Sequence, residues 1–179
     1  MPAASRPDFV LDEQLCFALH TASRAVTGCY RPLLDSIGLT YSQYAVMLVL
    51  WEQDSIPLGT LCVRLQLDTG TLSPLLKRLE AEGLLVRRRR AEDERTVQLT
   101  LTERGRGLRG KAAAIQARVQ EATGLAPAEL AALRADLHAL ADRLRAAHLV
   151  PEPVAKMRAP TSSSERAGPA TVTKTMARD

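Results

Sequence analysis

Residues 84–90 read LLVRRRR and residues 96–102 read TVQLTLT, two β-prone runs separated by the charged stretch AEDER. Their length, spacing and turn predict a hairpin, and four consecutive arginines, Arg87 to Arg90, make one strand strongly basic. Two short helical stretches precede it, LGTLCVRL from Leu58 and GTLSPLLKRLEAEG from Gly70, joined by QLDT. Asp68 or Thr69 can cap the second, Pro74 is tolerated in its first turn, and Gly83 closes it. A helix pair joined by a short turn and followed by a basic hairpin predicts a winged helix-turn-helix.

That unit has a direct physical use. Its second helix must enter a DNA major groove with donors on its leading turns. Asp68, Thr69, Thr71, Ser73, Lys77 and Arg78 stand on that stretch. Short hydroxyls early in the helix reach phosphates and base edges, and Lys77 and Arg78 reach the backbone. On the hairpin, Arg88, Arg90 and Arg95 are placed to enter the adjacent minor groove. Asp93 can orient Arg95, a carboxylate fixing a guanidinium. The competing reading of RRRR is a solvated strand edge, charged to prevent pairing. DNA binding is the expected role of the joint pattern.

The rest of the chain predicts a helical frame. With 46% hydrophobic but only 3% aromatic residues, the composition suits helices. From residue 11 to about residue 37, Leu15, Leu19, Ala22, Val26 and Tyr30 recur at steps of four and three, one face of a long helix. Asp8 or Asp12 can cap its start, and Gly38 is placed to end it. Residues 42–51 are nearly all apolar, the look of a central core helix. Helix resumes at Glu103 with Thr102 as cap, and breaks at TGLAP. The final helix carries Leu130, Leu133, Leu137, Leu140 and Leu144, a short heptad seam suited to packing on other helices. The expected organisation is an N-terminal arm over 1–10, a helical dimerisation region over 11–41 and 103–149, a DNA-binding domain over 42–102, and a disordered tail over 150–179.

A net charge of +4 permits an anionic partner. No run reaches membrane-span length, and the N-terminus lacks a secretory core segment, so no membrane partner is expected and the expected location is cytoplasmic. Three cysteines without CxxC spacing argue against a disulfide framework and against a zinc site. Neither metal nor cofactor is expected.

The segment GTLSPLLKRLEAEGLLVRRRRAEDERTVQLTLTERGR, with Asp93-x-Arg95 followed by LTLTERG, resembles the MarR family of winged-helix repressors over about residues 8–148. Within it, EQLCFALHTASRAVTGCYRPLLDSIGLTYSQY is similar to the organic hydroperoxide-sensing OhrR-type branch at Cys16, Tyr30 and Tyr41. The resemblance implies a mainly helical fold with a small β-hairpin wing, dimerised through its N- and C-terminal helices. It also implies a homodimer on a pseudo-palindromic operator, repressing a peroxide-resistance gene. Cys16 would be the redox sensor, with Tyr30 and Tyr41 reaching it across the dimer. His20 stands one turn after Cys16 where relatives commonly carry tyrosine. It is either a hydrogen-bonded helix residue or, when charged, a group that holds the sulfur as thiolate.

Taken alone, Cys16 among Leu15, Phe17 and Leu19 reads first as packing material; the resemblance favours the sensor. Apolar neighbours favour organic hydroperoxides over hydrogen peroxide. No cysteine follows Cys62, so the resolving cysteine that some relatives carry near the C-terminal helices is absent. A small-molecule thiol forming a mixed disulfide with Cys16 is the expected completion, with an intersubunit bridge to Cys29 as rival. Cys62 reads as packing. Two other functions stay open: a repressor gated by a small aromatic ligand, and a thiol peroxidase, although an enzyme would leave the basic wing without purpose.

Overall fold

The computed structural model describes residues 10–90 and 93–147, excluding the side chains of residues 89, 90 and 93–95. Of the expected arm only Val10 is included, and the expected tail lies outside the described residues. The chain divides into two compact units after Ala126.

The first unit opens with a short 3-10 turn, Leu11–Glu13, and helix α1, Leu15–Asp35. Asp12 does not cap this helix: the 3-10 turn absorbs it, and Gln14, in extended conformation, stands at the N-cap without a side-chain bond. Asp8 lies outside the described residues. Helix α1 ends where expected, with Gly38 just beyond it at φ +73°.

Helix α2, Tyr41–Glu52, starts at a reciprocal cap. Gln43 N–H donates to Thr40 Oγ1 at 3.3 Å, while Thr40 N–H donates to Gln43 Oε1 at 2.8 Å. Val46, Met47, Val49, Leu50 and Trp51 are buried, so this helix is the centre of the core as its composition predicts.

Helices α3, Leu58–Leu65, and α4, Thr69–Ala81, follow. Strands β2, Leu85–Arg90, and β3, Asp93–Leu101, pair antiparallel. The sheet has a third strand that the hairpin reading lacked: β1, Ile56–Pro57, pairs with β3 at Leu99 and Gln98, giving the order β1-β3-β2. Pro57 is tolerated because β1 is an edge.

The helix expected from Glu103 is two helices, α5, Glu103–Gly107, and α6, Arg109–Ala122, with Leu108 between them. Thr102 caps α5 as expected, accepting from Gly105 N–H at 3.0 Å. Leu34, Leu50, Leu61, Leu72, Leu79 and Leu99 are fully buried and bring α1, α2, α3, α4 and β3 into one core. The second unit contains helix α7, Pro127–Ala146. Leu133, Leu137 and Leu144 of its heptad seam are exposed.

Candidate nucleic-acid interface and sensor site

Helix α4 is built outward from its cap. Asp68 accepts from Thr71 N–H at 2.8 Å and from the Thr71 hydroxyl at 2.9 Å. These donors, the amide first, hold the Asp68 carboxyl below the usual carboxylate range. The Ser73 hydroxyl donates to the Thr69 carbonyl at 2.7 Å. Thr69 Oγ1 lies 3.7 Å from Cys62 Sγ, where α3 meets the first residue of α4. The hydroxyl protons of Thr71 and Ser73 are therefore engaged within α4 and its cap. Asp68, Thr69, Thr71, Lys77 and Arg78 are exposed along this helix, and Ser73 is half-buried.

The basic strand is not uniform. Arg87 turns back onto α4, where its Nε donates to Glu80 Oε2 at 2.7 Å and its backbone N–H to Glu80 Oε1 at 3.1 Å. That guanidinium holds the Glu80 carboxyl below its ordinary range. Arg87 thus ties the wing to the helix, leaving Arg88 exposed on the strand. The side chains of Arg90, Asp93 and Arg95, and with them the expected orientation of Arg95 by Asp93, lie outside the described residues.

Tyr30 and Tyr41 are brought together with ring centroids 5.6 Å apart. A third tyrosine, Tyr44, completes the cluster at 5.4 Å from Tyr30 and 6.3 Å from Tyr41. Sequence reasoning missed Tyr44, which sits inside an apolar run. The signal was its position three residues after Tyr41, one turn along the same helix face. Burial raises the Tyr44 hydroxyl pKa above the ordinary value of 10.0, and the neighbouring Tyr30 adds to the shift. Burial also raises that of Tyr30, with the hydrogen bond from Tyr44 acting in the opposite sense.

Cys16 and His20 are exposed near the start of α1 and are not brought to these tyrosines within one chain. Fourteen residues of helix separate Cys16 from Tyr30, about 21 Å at 1.5 Å per residue. Cys16 occupies the first turn of α1. Leu15 and Val26, expected on the packed face of this helix, are 59% and 42% exposed, so part of that face is uncovered in a single copy. Cys29 is exposed, and Cys62 is half-buried against the core, as its packing role predicts.

A cleft of about 510 Å³ opens between α2 and α6 on another side of Tyr44, lined by Tyr44, Leu48, Trp51, Arg109, Ala112 and Ala113. Among the described residues there is no group of His, Cys, Asp and Glu able to hold a metal ion. No described helix is long and apolar enough to cross a membrane.

Residues 29–111 match the family model described as transcriptional regulator SarA/Rot. The chain is 47% identical over 136 residues to the HTH-type transcriptional regulator TtmR of Methylorubrum extorquens, covering 76% of this chain and 70% of that one. It is 41% identical over 134 residues to the organic hydroperoxide resistance transcriptional regulator of Bacillus subtilis, covering 75% and 91%. The structure of reduced AbfR bound to DNA superposes with a TM-score of 0.63 at 34% identity, covering 75% of this chain and 93% of that one. AbfR is a Staphylococcus epidermidis protein.

Proposed function

The chain belongs to the MarR family of winged helix-turn-helix transcriptional regulators, and from that premise we propose that it is a homodimeric repressor releasing its operator when organic hydroperoxides oxidise Cys16. One observation carries this reading. An exposed thiol in the first turn of α1 and a tyrosine cluster at the other end of that helix are two halves of a site that one chain leaves apart. A second copy running the opposite way along α1 would bring each thiol to the other's tyrosines. The likeness to the Bacillus subtilis hydroperoxide regulator and to a reduced, DNA-bound AbfR supports it.

The chemistry is a two-electron oxidation. The Cys16 thiolate attacks the terminal oxygen of the peroxide, the O–O bond breaks, and the leaving alkoxide takes a proton to become an alcohol. The sulfenic acid then condenses with a small-molecule thiol, forming a mixed disulfide and water. A polar or bulky adduct among Tyr30, Tyr41 and α1 forces the packing to change. A hundredfold loss of operator affinity requires the adduct to disfavour the bound geometry by only about 2.7 kcal/mol, within the strain of overfilling a packed site.

On the DNA side, α4 would present Asp68, Thr69, Thr71, Ser73, Lys77 and Arg78 to a major groove, with Arg88, Arg90 and Arg95 on the wing and Asp93 beside them. Half-sites would lie one helical turn apart. An electrophoretic shift on a candidate palindrome tests the whole reading. Wild type should release on cumene hydroperoxide, and Cys16→Ser should bind equally well and stay bound. Release by the Ser variant removes Cys16 as sensor.

The cleft beside Tyr44 and Trp51 favours one second reading, a repressor gated by an aromatic carboxylate paired with Arg109. Release of Cys16→Ser protein by such a ligand, without peroxide, would select it.

A further inference from the structure

Gln43 is the one buried polar side chain among the described residues, 3% exposed in a helix whose other buried side chains are aliphatic or aromatic. A carboxamide in such a place is costly unless both of its ends are satisfied. Both are. Its Oε1 accepts from Thr40 N–H at 2.8 Å, closing the cap of α2. Its Nε2 donates to Glu82 Oε1 at 3.2 Å, at the C-cap of α4 and 39 residues away in sequence.

The residue type is informative. Glutamate closes this kind of cap as well as glutamine does, but a carboxylate has no proton to give Glu82. A glutamine here serves the second bond as much as the first. The bond crosses an incompletely packed seam: a groove of about 300 Å³, lined by Asp35, Leu39, Thr40 and Arg78, opens beside it. On one side Gln43 is flanked by Tyr41 and Tyr44, both in the tyrosine cluster. On the other, Glu82 lies two residues beyond Glu80, which anchors the wing through Arg87, and four beyond Arg78 on the exposed face of α4.

We propose that Gln43 is a positioning residue for DNA binding: its carboxamide fixes the C-terminal end of α4 to the first turn of α2, and carries displacement of the tyrosine cluster to that helix. The first half of this statement rests only on membership of a DNA-binding family. The second rests on the peroxide-sensing reading above, and the two are tested by separate measurements.

Full-length reduced protein is titrated onto operator DNA by fluorescence anisotropy, with thermal midpoints recorded alongside. Gln43→Glu keeps the cap but sets one carboxylate against another, and should weaken operator binding about tenfold. Glu82→Gln keeps an acceptor and should bind within about twofold of wild type. The double variant Gln43→Glu/Glu82→Gln restores a donor and acceptor with their direction reversed, and should recover wild-type affinity. Glu82→Ala removes the acceptor without adding charge to the core, and must show the same weakening if Gln43→Glu fails to fold. Wild-type affinity in Glu82→Ala, or a folded double variant that does not recover, overturns the positioning role.

For transmission, Glu82→Ala and the double variant are oxidised with cumene hydroperoxide beside wild type, and the Cys16 adduct is counted by intact mass. With the adduct formed, Glu82→Ala should show at least a threefold smaller ratio of reduced to oxidised affinity, and the double variant should show the wild-type ratio. An unchanged ratio in Glu82→Ala overturns transmission through this bond. Absence of a response in wild type, or an unimpaired response in Cys16→Ser, overturns the sensor reading and the transmission step with it, but leaves the reduced-state result standing.

Discussion

Trp51 donates its indole N–H to the carbonyl oxygen of Gly105 at 2.9 Å, a buried hydrogen bond between residues 54 apart in sequence. It joins the central helix to the start of α5 just beyond the wing. A Cβ at Gly105 would lie 2.0 Å from the Leu84 carbonyl oxygen. The junction of α2, the wing and α5 therefore depends on this aromatic donor and on the absence of a methyl group at Gly105.

Trp51→Phe keeps most of the apolar contact and leaves the Gly105 carbonyl without its partner. Urea unfolding should show a loss of about 1–3 kcal/mol. Gly105→Ala requires backbone to move and should lower the thermal midpoint further. Gly107→Ala, with nothing within 4 Å of the added carbon, should change it little. Equal midpoints for the two alanine variants would contradict the close approach.

Acid should weaken the fold at α4. Asp68 and Glu80 both have folded pKa values below their ordinary 3.8 and 4.5. A depressed carboxylate contributes stability that is complete above its unfolded pKa and is lost as pH falls through its folded pKa. Urea midpoints should thus decline below about pH 4.5, and Asp68→Asn with Glu80→Gln should flatten that decline. A slope identical to wild type would assign acid sensitivity to other groups.

Alkali acts on the tyrosines with the opposite sign. Tyr30 and Tyr44 have folded pKa values raised above 10.0 by burial, so their contribution is complete below pH 10 and is lost as pH rises toward the folded values. Absorbance titration of tyrosinate should show these two ionising above the ordinary value of 10.0. Tyr44→Phe should remove one late transition and lessen alkaline unfolding.

The exposed leucines of α7 should matter in a dimer and little in a monomer. Leu133→Glu with Leu137→Glu places two charges on the heptad seam, and sedimentation should show the dimer replaced by monomer with the fold of residues 10–126 retained by circular dichroism. Operator affinity should fall with it, because two half-sites are no longer bound together. An unaltered dimer would place the interface elsewhere.

Much of this architecture was legible in the chain. Leu58–Leu65 appears as a helix at the bounds its pattern gave, and Asp68, Gly83 and Thr102 act as the cap and stop residues their types suggest. The start of α1 was not, because a 3-10 turn at Leu11–Glu13 uses residues that fit helical spacing equally well. Strand β1 is two residues long and exists only by pairing with Leu99 and Gln98, a tertiary event without local signal. The interruption at Leu108 carries no proline to announce it.

The site divided in the same way. Cys16, Tyr30 and Tyr41 stand out through a family likeness, whereas the 5.6 Å approach of the two tyrosine rings within one chain belongs to the fold. Tyr44 and Gln43 were hidden by their neighbours, although TYSQ at residues 40–43 carries the T-x-x-Q signature of a reciprocal cap. Arg87 looked like its three neighbours, and only the folded register turns it to Glu80.

The distance along α1 between Cys16 and Tyr30 has a genetic consequence. If each sensor is shared between two subunits, a copy lacking the thiol and a copy lacking the phenol are both deaf to peroxide as homodimers, yet a mixed dimer of the two owns one whole receptor. Co-expressing two defective alleles would then restore induction that neither allele supports by itself.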